Sequence, residues 1–78
     1  MENTLGKRIA NLRREKNLKQ EDLAQMLNIS PQAISKWEND LTCPDISILP
    51  ELSKIFNKTT YSLLLILGYN ILIEITAR

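Results

Sequence analysis

QEDLAQMLNISPQAISKWEN, residues 20 to 39, divides around Asn28 and Ser30 into two short helices. In the first, Leu23 and Leu27 recur at i, i+4 and share a face, and Ala24 beside them offers a small surface where another helix can cross closely. A larger side chain there would hold the two helices apart. Asn28 sits where the chain must turn, and Asn is among the few non-glycine residues that enter the left-handed backbone region at low cost. Ser30 then offers a hydroxyl N-cap. Pro31 follows at the first helical position, where its missing N–H would have no helical partner in any case. The inner face of the second helix is Ile34 and Trp37, and its outer face is Pro31, Gln32, Ser35, Lys36 and Asn39.

Amide, hydroxyl and ammonium groups on the outside of a short second helix can address base edges and phosphates, so the layout points to a reader of double-stranded DNA. The stretch resembles the lambda-repressor-like, or Cro-type, helix-turn-helix family. That family's pattern of an apolar residue, Ala, a turn residue, and then Ile and Trp on the recognition helix is met by Leu23, Ala24, Asn28, Ile34 and Trp37. The likeness extends outward on both sides. LGKRIANLRREKNL from Leu5 resembles the family's first helix, and CPDISILPELSKIFNKTTYSLLL from Cys43 resembles its last two, so residues 4 to 67 are covered. The chain departs from the family at Lys19, where Ser or Thr is the usual N-cap, and at Asn28, where Gly is frequent. Glu21 and Asp22 still complement the positive end of the helix. The resemblance implies an all-α, compact five-helix domain over residues 1–67 with the motif at 20–39; residues 68–78, which it does not cover, read as a short apolar extension.

Periodicity along the chain agrees. A first helix is expected from Thr4, as N-cap, to Lys16, with Leu5, Ile9 and Leu12 on one face and Asn17 as the stop. The motif helices cover Gln20 to Leu27 and Pro31 to Glu38 or Asn39, and Asn39, Asp40, Thr42, Cys43 and Pro44 form a polar loop. A fourth helix is expected to begin between Asp45 and Ser47, its start limited by Pro50, with Leu49, Leu52, Ile55 and Phe56 as its buried stripe. Thr59 can cap a short fifth helix containing Leu63 and Leu64. After Gly68, apolar residues at 69, 71, 73 and 75 alternate as in a strand. Such a strand has no partner in a helical domain, so pairing with another copy through Tyr69–Ile75 is one expectation and a frayed or packed tail is the other. Leu72 also permits a helix.

Composition narrows the class. A chain of 78 residues allows one small domain near the lower limit for an unstapled apolar core. One cysteine, Cys43, and no histidine exclude an internal disulfide framework and leave no usual zinc-ligand set. No metal, cofactor or small-molecule ligand is expected. The opening MENTLGKR lacks a signal-peptide pattern, and the apolar run Tyr61 to Leu67 is far short of the roughly 20 residues that span a bilayer, so a soluble cytoplasmic protein is expected. The net charge is only +1. DNA affinity must therefore come from local placement: Lys7, Arg8, Arg13, Arg14, Lys16 and Lys19 gather in and after the first helix, and Lys36 lies on the recognition helix. With few phosphates neutralised per copy, one copy alone should bind poorly at physiological salt.

Gln32 is the first choice for a base contact, because a carboxamide can make a bidentate pair with adenine N6 and N7. Ser35 and Lys36 lie one turn on, and Lys36 can reach a guanine or a phosphate. Pro31 cannot donate, so its main role is structural, with a thymine-methyl contact as an addition. Gln20, at the start of the first motif helix, resembles the family position that holds a phosphate, favoured there by the helix dipole. Lys19, Ser30 and Asn39 are further phosphate candidates; simple capping explains Ser30 and Asn39 equally well. Arg13 and Glu38 resemble a family ion pair tying the first helix to the end of the recognition helix, with guanidinium surface left for a phosphate. Two solvated charges are the plainer alternative.

Two functions stay open. The first is a sequence-specific transcriptional regulator, a repressor acting as a homodimer on a near-palindromic operator, with recognition helices about 34 Å apart. The second is a protein-interaction module, such as an antitoxin-type partner binder. An enzyme is not expected, since no histidine, phosphate-cradling loop or paired carboxylates are recognisable.

Overall fold

A computed structural model describes residues 4–67 of the chain, which form five α-helices, with no strand among the described residues. The first, α1 (Leu5–Glu15), starts where the Thr4 hydroxyl oxygen accepts the Lys7 N–H at 3.2 Å. The motif helices are α2 (Gln20–Leu27) and α3 (Pro31–Glu38). Ser30 caps α3 as expected, its Oγ accepting the Ala33 N–H at 3.2 Å. At the start of α2, Lys19 makes no side-chain cap. There the Asp22 carboxylate reaches back to the Lys19 N–H at 2.8 Å, so an acid in the first turn takes over part of the missing cap.

The fourth helix begins later than the sequence suggested. Residues Ile46–Ile48 make a 3-10 turn, opened by the Asp45 carboxylate accepting from the N–H and hydroxyl of Ser47, and α4 (Leu49–Ile55) follows. Pro50 is the reason. With no N–H it cannot donate to the Ile46 carbonyl, so α-geometry starting at Ile46 would lack its i→i−4 bond. Helix α5 (Thr60–Leu67) is capped by Thr59, whose hydroxyl oxygen accepts the Ser62 N–H at 3.0 Å. The alternating segment Tyr69–Ile75 lies outside the described residues.

One device ends four of the five helices. Asn17, Asn28, Asp40 and Asn57 have φ between 56 and 61°, in the left-handed region. The residue after each returns its N–H to a carbonyl in the preceding helix: Leu18 to Arg13 at 3.2 Å, Ile29 to Ala24, Leu41 to Lys36 and Lys58 to Ser53 at 2.9 Å. This closure satisfies carbonyls that the helix end would orphan, and short polar side chains stand where glycine is commonest.

The turns fold the apolar faces onto one core. It contains Ile9 and Leu12 from α1, Leu23 and Ala24 from α2, Ile34 and Trp37 from α3, Leu49, Leu52 and Phe56 from the fourth helical segment and its end, and Leu63 from α5. Ala24 is 1% exposed, and α3 packs against both α2 and α1. Burying side chains of this size contributes about 1.5–3 kcal/mol each before conformational entropy is subtracted.

Candidate nucleic-acid interface

Ile34 is fully buried and Trp37 is 6% exposed, so α3 is braced from behind by an isoleucine and an indole. On its other side Pro31, Gln32, Lys36 and Asn39 are exposed and Ser35 is half-buried. No part of the described chain covers this face. Gln32 and Lys36 are on the same side, one turn apart, as the i, i+4 spacing requires.

The capping alternatives hold for two of the sequence candidates. Ser30 uses its oxygen on the Ala33 N–H, while its hydroxyl hydrogen can still turn to an outside acceptor. The Asn39 amide donates to the Ser35 carbonyl at 2.8 Å, closing the end of its own helix.

Arg13 and Glu38 come together as a bidentate pair. Arg13 Nε donates to Glu38 Oε2 at 2.6 Å and a terminal guanidinium nitrogen donates to Oε1 at 2.9 Å. The other terminal nitrogen donates to the Leu18 carbonyl at 2.8 Å, fixing the chain between α1 and α2. The two side chains are 10% and 7% exposed, so the pair is largely shielded from water. Burial pushes the Glu38 carboxyl upward, but hydrogen bonds from Arg13 and Gln20 and the charges of Arg13 and Arg14 outweigh it and hold the group below the usual glutamate range. The same hydrogen bond raises Arg13 further, against the opposing effect of burial.

Gln20 is engaged in a way the sequence did not indicate. Its side-chain amide donates to Glu38 Oε1 at 3.0 Å. Three helices thus converge on one carboxylate. The second amide hydrogen and the backbone N–H of Gln20, at the first position of α2, are the groups it can offer an anion. Arg13, Lys19, Gln20, Glu21 and Pro31 line one shallow depression of about 340 Å³. Of the sequence candidates for phosphate, this gathers Arg13, Lys19 and Gln20, while Ser30 and Asn39 mark the two ends of α3.

Sequence reading missed Gly6 and Asp40. The Gly6 N–H donates to Asp40 Oδ1 at 2.9 Å, which joins the start of α1 to the residue just past the end of α3. A glycine within a helix was the available signal, since it weakens the helix and often marks a close backbone approach. Cys43 is exposed, and among the described residues no group of three or more His, Cys, Asp or Glu could hold a metal ion. No helix among the described residues is long and apolar enough to cross a membrane.

Comparison with known proteins agrees with the helix-turn-helix arrangement of α2 and α3. A family profile described as helix-turn-helix matches residues 9–63. The chain is 43% identical over 59 residues to the HTH-type transcriptional activator BcrR of Enterococcus faecalis, and 36% identical over 61 residues to the HTH-type transcriptional regulator ImmR of Bacillus subtilis (strain 168). These matches take in 76% and 78% of this chain but 29% and 48% of the two relatives, so the chain spans less than half the length of either.

Proposed function

The chain belongs to the helix-turn-helix family of the Cro and lambda-repressor type, and on that footing we propose that it is a sequence-specific DNA-binding regulator whose α3 lies in the major groove. The observation that carries this reading is the uncovered polar face of α3, held rigid by Ile34 and Trp37 behind it. Gln32 pairs with adenine, Ser35 and Lys36 reach neighbouring base edges, and Pro31 meets a thymine methyl. Phosphates sit at the Gln20, Lys19 and Arg13 depression on one side and at Ser30 and Asn39 along α3.

A single copy offers few phosphate contacts, so the working form is a homodimer on a near-palindromic site. Helix α5 supports this. It is apolar nearly all round, yet Tyr61 and Leu65 remain 55% exposed, and the sequence after it has apolar residues at 69, 71, 73 and 75. Regulation follows from occupancy in the cytoplasm, as a repressor where the site overlaps a promoter.

Selection of bound duplexes from a random pool tests the reading, since it reports binding, half-site symmetry and spacing together. The expected result is a near-palindrome with half-site centres about 10 base pairs, one helical turn, apart. Stoichiometric co-purification with one protein and no duplex preference would replace it with the interaction-module reading.

A further inference from the structure

The last turn of α3 is tied to α1 twice. One tie is the Arg13–Glu38 pair. The other is made by Asp40, whose backbone lies in the left-handed region with φ 61°. Its carboxylate accepts the Gly6 N–H at 2.9 Å, and the Thr4 side chain and the charge of Lys7 help hold it ionised. Gly6 is in the first turn of α1, where N–H groups have no partner within the helix. A side chain from the end of one helix therefore completes the start of another.

The backbones themselves meet at this point. A Cβ on Gly6 would lie 2.4 Å from the Trp37 carbonyl oxygen and 2.7 Å from that of Glu38, so a glycine is what lets the closing carbonyls of α3 rest on α1. Gly6 and Arg13 stand about two turns apart, roughly 10 Å along the axis of α1. Ile34 and Trp37 hold α3 by its inner face, and the two ties fix its C-terminal end at two points along α1. Helix α3 has eight residues, so a pivot at its C-terminal end would displace Gln32, near the other end, more than any residue of the last turn.

We propose that Asp40 is a positioning residue for DNA recognition: with the Arg13–Glu38 pair, its bond to Gly6 fixes the angle at which α3 presents Gln32. This role rests on the reading of α3 as the DNA reader. Glycine would occupy the left-handed backbone of residue 40 with less strain, so what an aspartate adds there is its carboxylate.

Two variants separate the parts. Asp40→Gly keeps the backbone and removes the acceptor, whereas Asp40→Asn keeps an oxygen of the same shape and tolerates the same backbone. The probes are the duplex selected by the wild-type chain and a scrambled duplex of equal length, below the unfolding midpoint of every variant. Asp40→Gly is expected to lose about tenfold in affinity for the selected duplex, comparable to one wrong base pair, and to bind the scrambled duplex as the wild type does. Asp40→Asn should retain both affinities. The Gly6 amide proton should exchange faster in Asp40→Gly but not in Asp40→Asn.

A lower unfolding midpoint with an unchanged ratio of the two affinities would overturn the proposal, because a merely stabilising contact behaves that way. Equal loss of that ratio in both variants would overturn it too. If the wild-type chain selects no duplex at all, the DNA reading itself fails and this role goes with it.

Discussion

Glu38 accepts hydrogen bonds from α1 through Arg13 and from the first turn of α2 through Gln20, so one carboxylate on α3 gathers the first three helices. The pair is shielded and bidentate, which sets it apart from exposed ion pairs worth less than about 1 kcal/mol. A double-mutant cycle with Arg13→Ala and Glu38→Ala should therefore give a coupling of about 1–3 kcal/mol in chemical denaturation. The acid limb of stability provides a second check. Because the folded chain holds the Glu38 carboxyl below its usual range, the stabilisation is complete above that range and is lost as pH falls through the folded-state value. Glu38→Gln should flatten the stability profile below about pH 4.3, and Asp40, held low by Thr4 and Gly6, keeps some slope in the variant. The Arg13–Glu38 pair was legible in the sequence because it stands at family positions, and the inward Ile34 and Trp37 were legible from their spacing. The Gln20–Glu38 and Gly6–Asp40 bonds join residues 18 and 34 positions apart, and local pattern does not name the partner in such contacts, even where a helical glycine marks a close approach.

At the scale of elements, the turn between α2 and α3 depends on Asn28, with φ 58° and its N–H bonded back to Gln25 at 3.2 Å. Asn28→Ala places a side chain with no local polar compensation in that region and should cost about 1 kcal/mol, whereas Asn28→Gly should leave stability nearly unchanged or raise it. Thermal unfolding of the two variants checks the order. Helix positions, Thr4, Ser30 and Thr59 as caps, and Asn17 and Asn28 as stops could all be read beforehand, because caps and stops are chosen by local chemistry. Two starts could not. Asp22 replaces the missing cap at Lys19 by reaching backward, and Pro50 imposes a 3-10 turn ahead of α4 by withholding one donor. Both outcomes depend on how a hydrogen-bond deficit is resolved in three dimensions, which residue preference alone leaves open.

Over the whole molecule, ten basic and nine acidic residues nearly cancel, so DNA affinity cannot come from net charge and depends on where the charges are placed; the proposed homodimer would add a second set of contacts. The outward side of α5 was not readable from TYSLLLIL, because a segment apolar nearly all round marks no face; packing chose Leu63 as the buried one and left Tyr61 and Leu65 outside. Removing residues 69–78 should turn a dimer into a monomer in sedimentation at micromolar concentration and weaken binding to a two-half-site duplex more than to a single half-site. An unchanged dimer would place the contact elsewhere. If the exposed side of α3 reads base edges, as proposed, Gln32→Ala alters how the chain discriminates among the single-base variants of the selected duplex. Binding measured against that set is expected to show a loss of about 1–3 kcal/mol, relaxed discrimination at one base position of each half-site and an unchanged unfolding midpoint. A variant that keeps wild-type discrimination at every position, or that weakens on all sequences alike, would contradict this reading of α3.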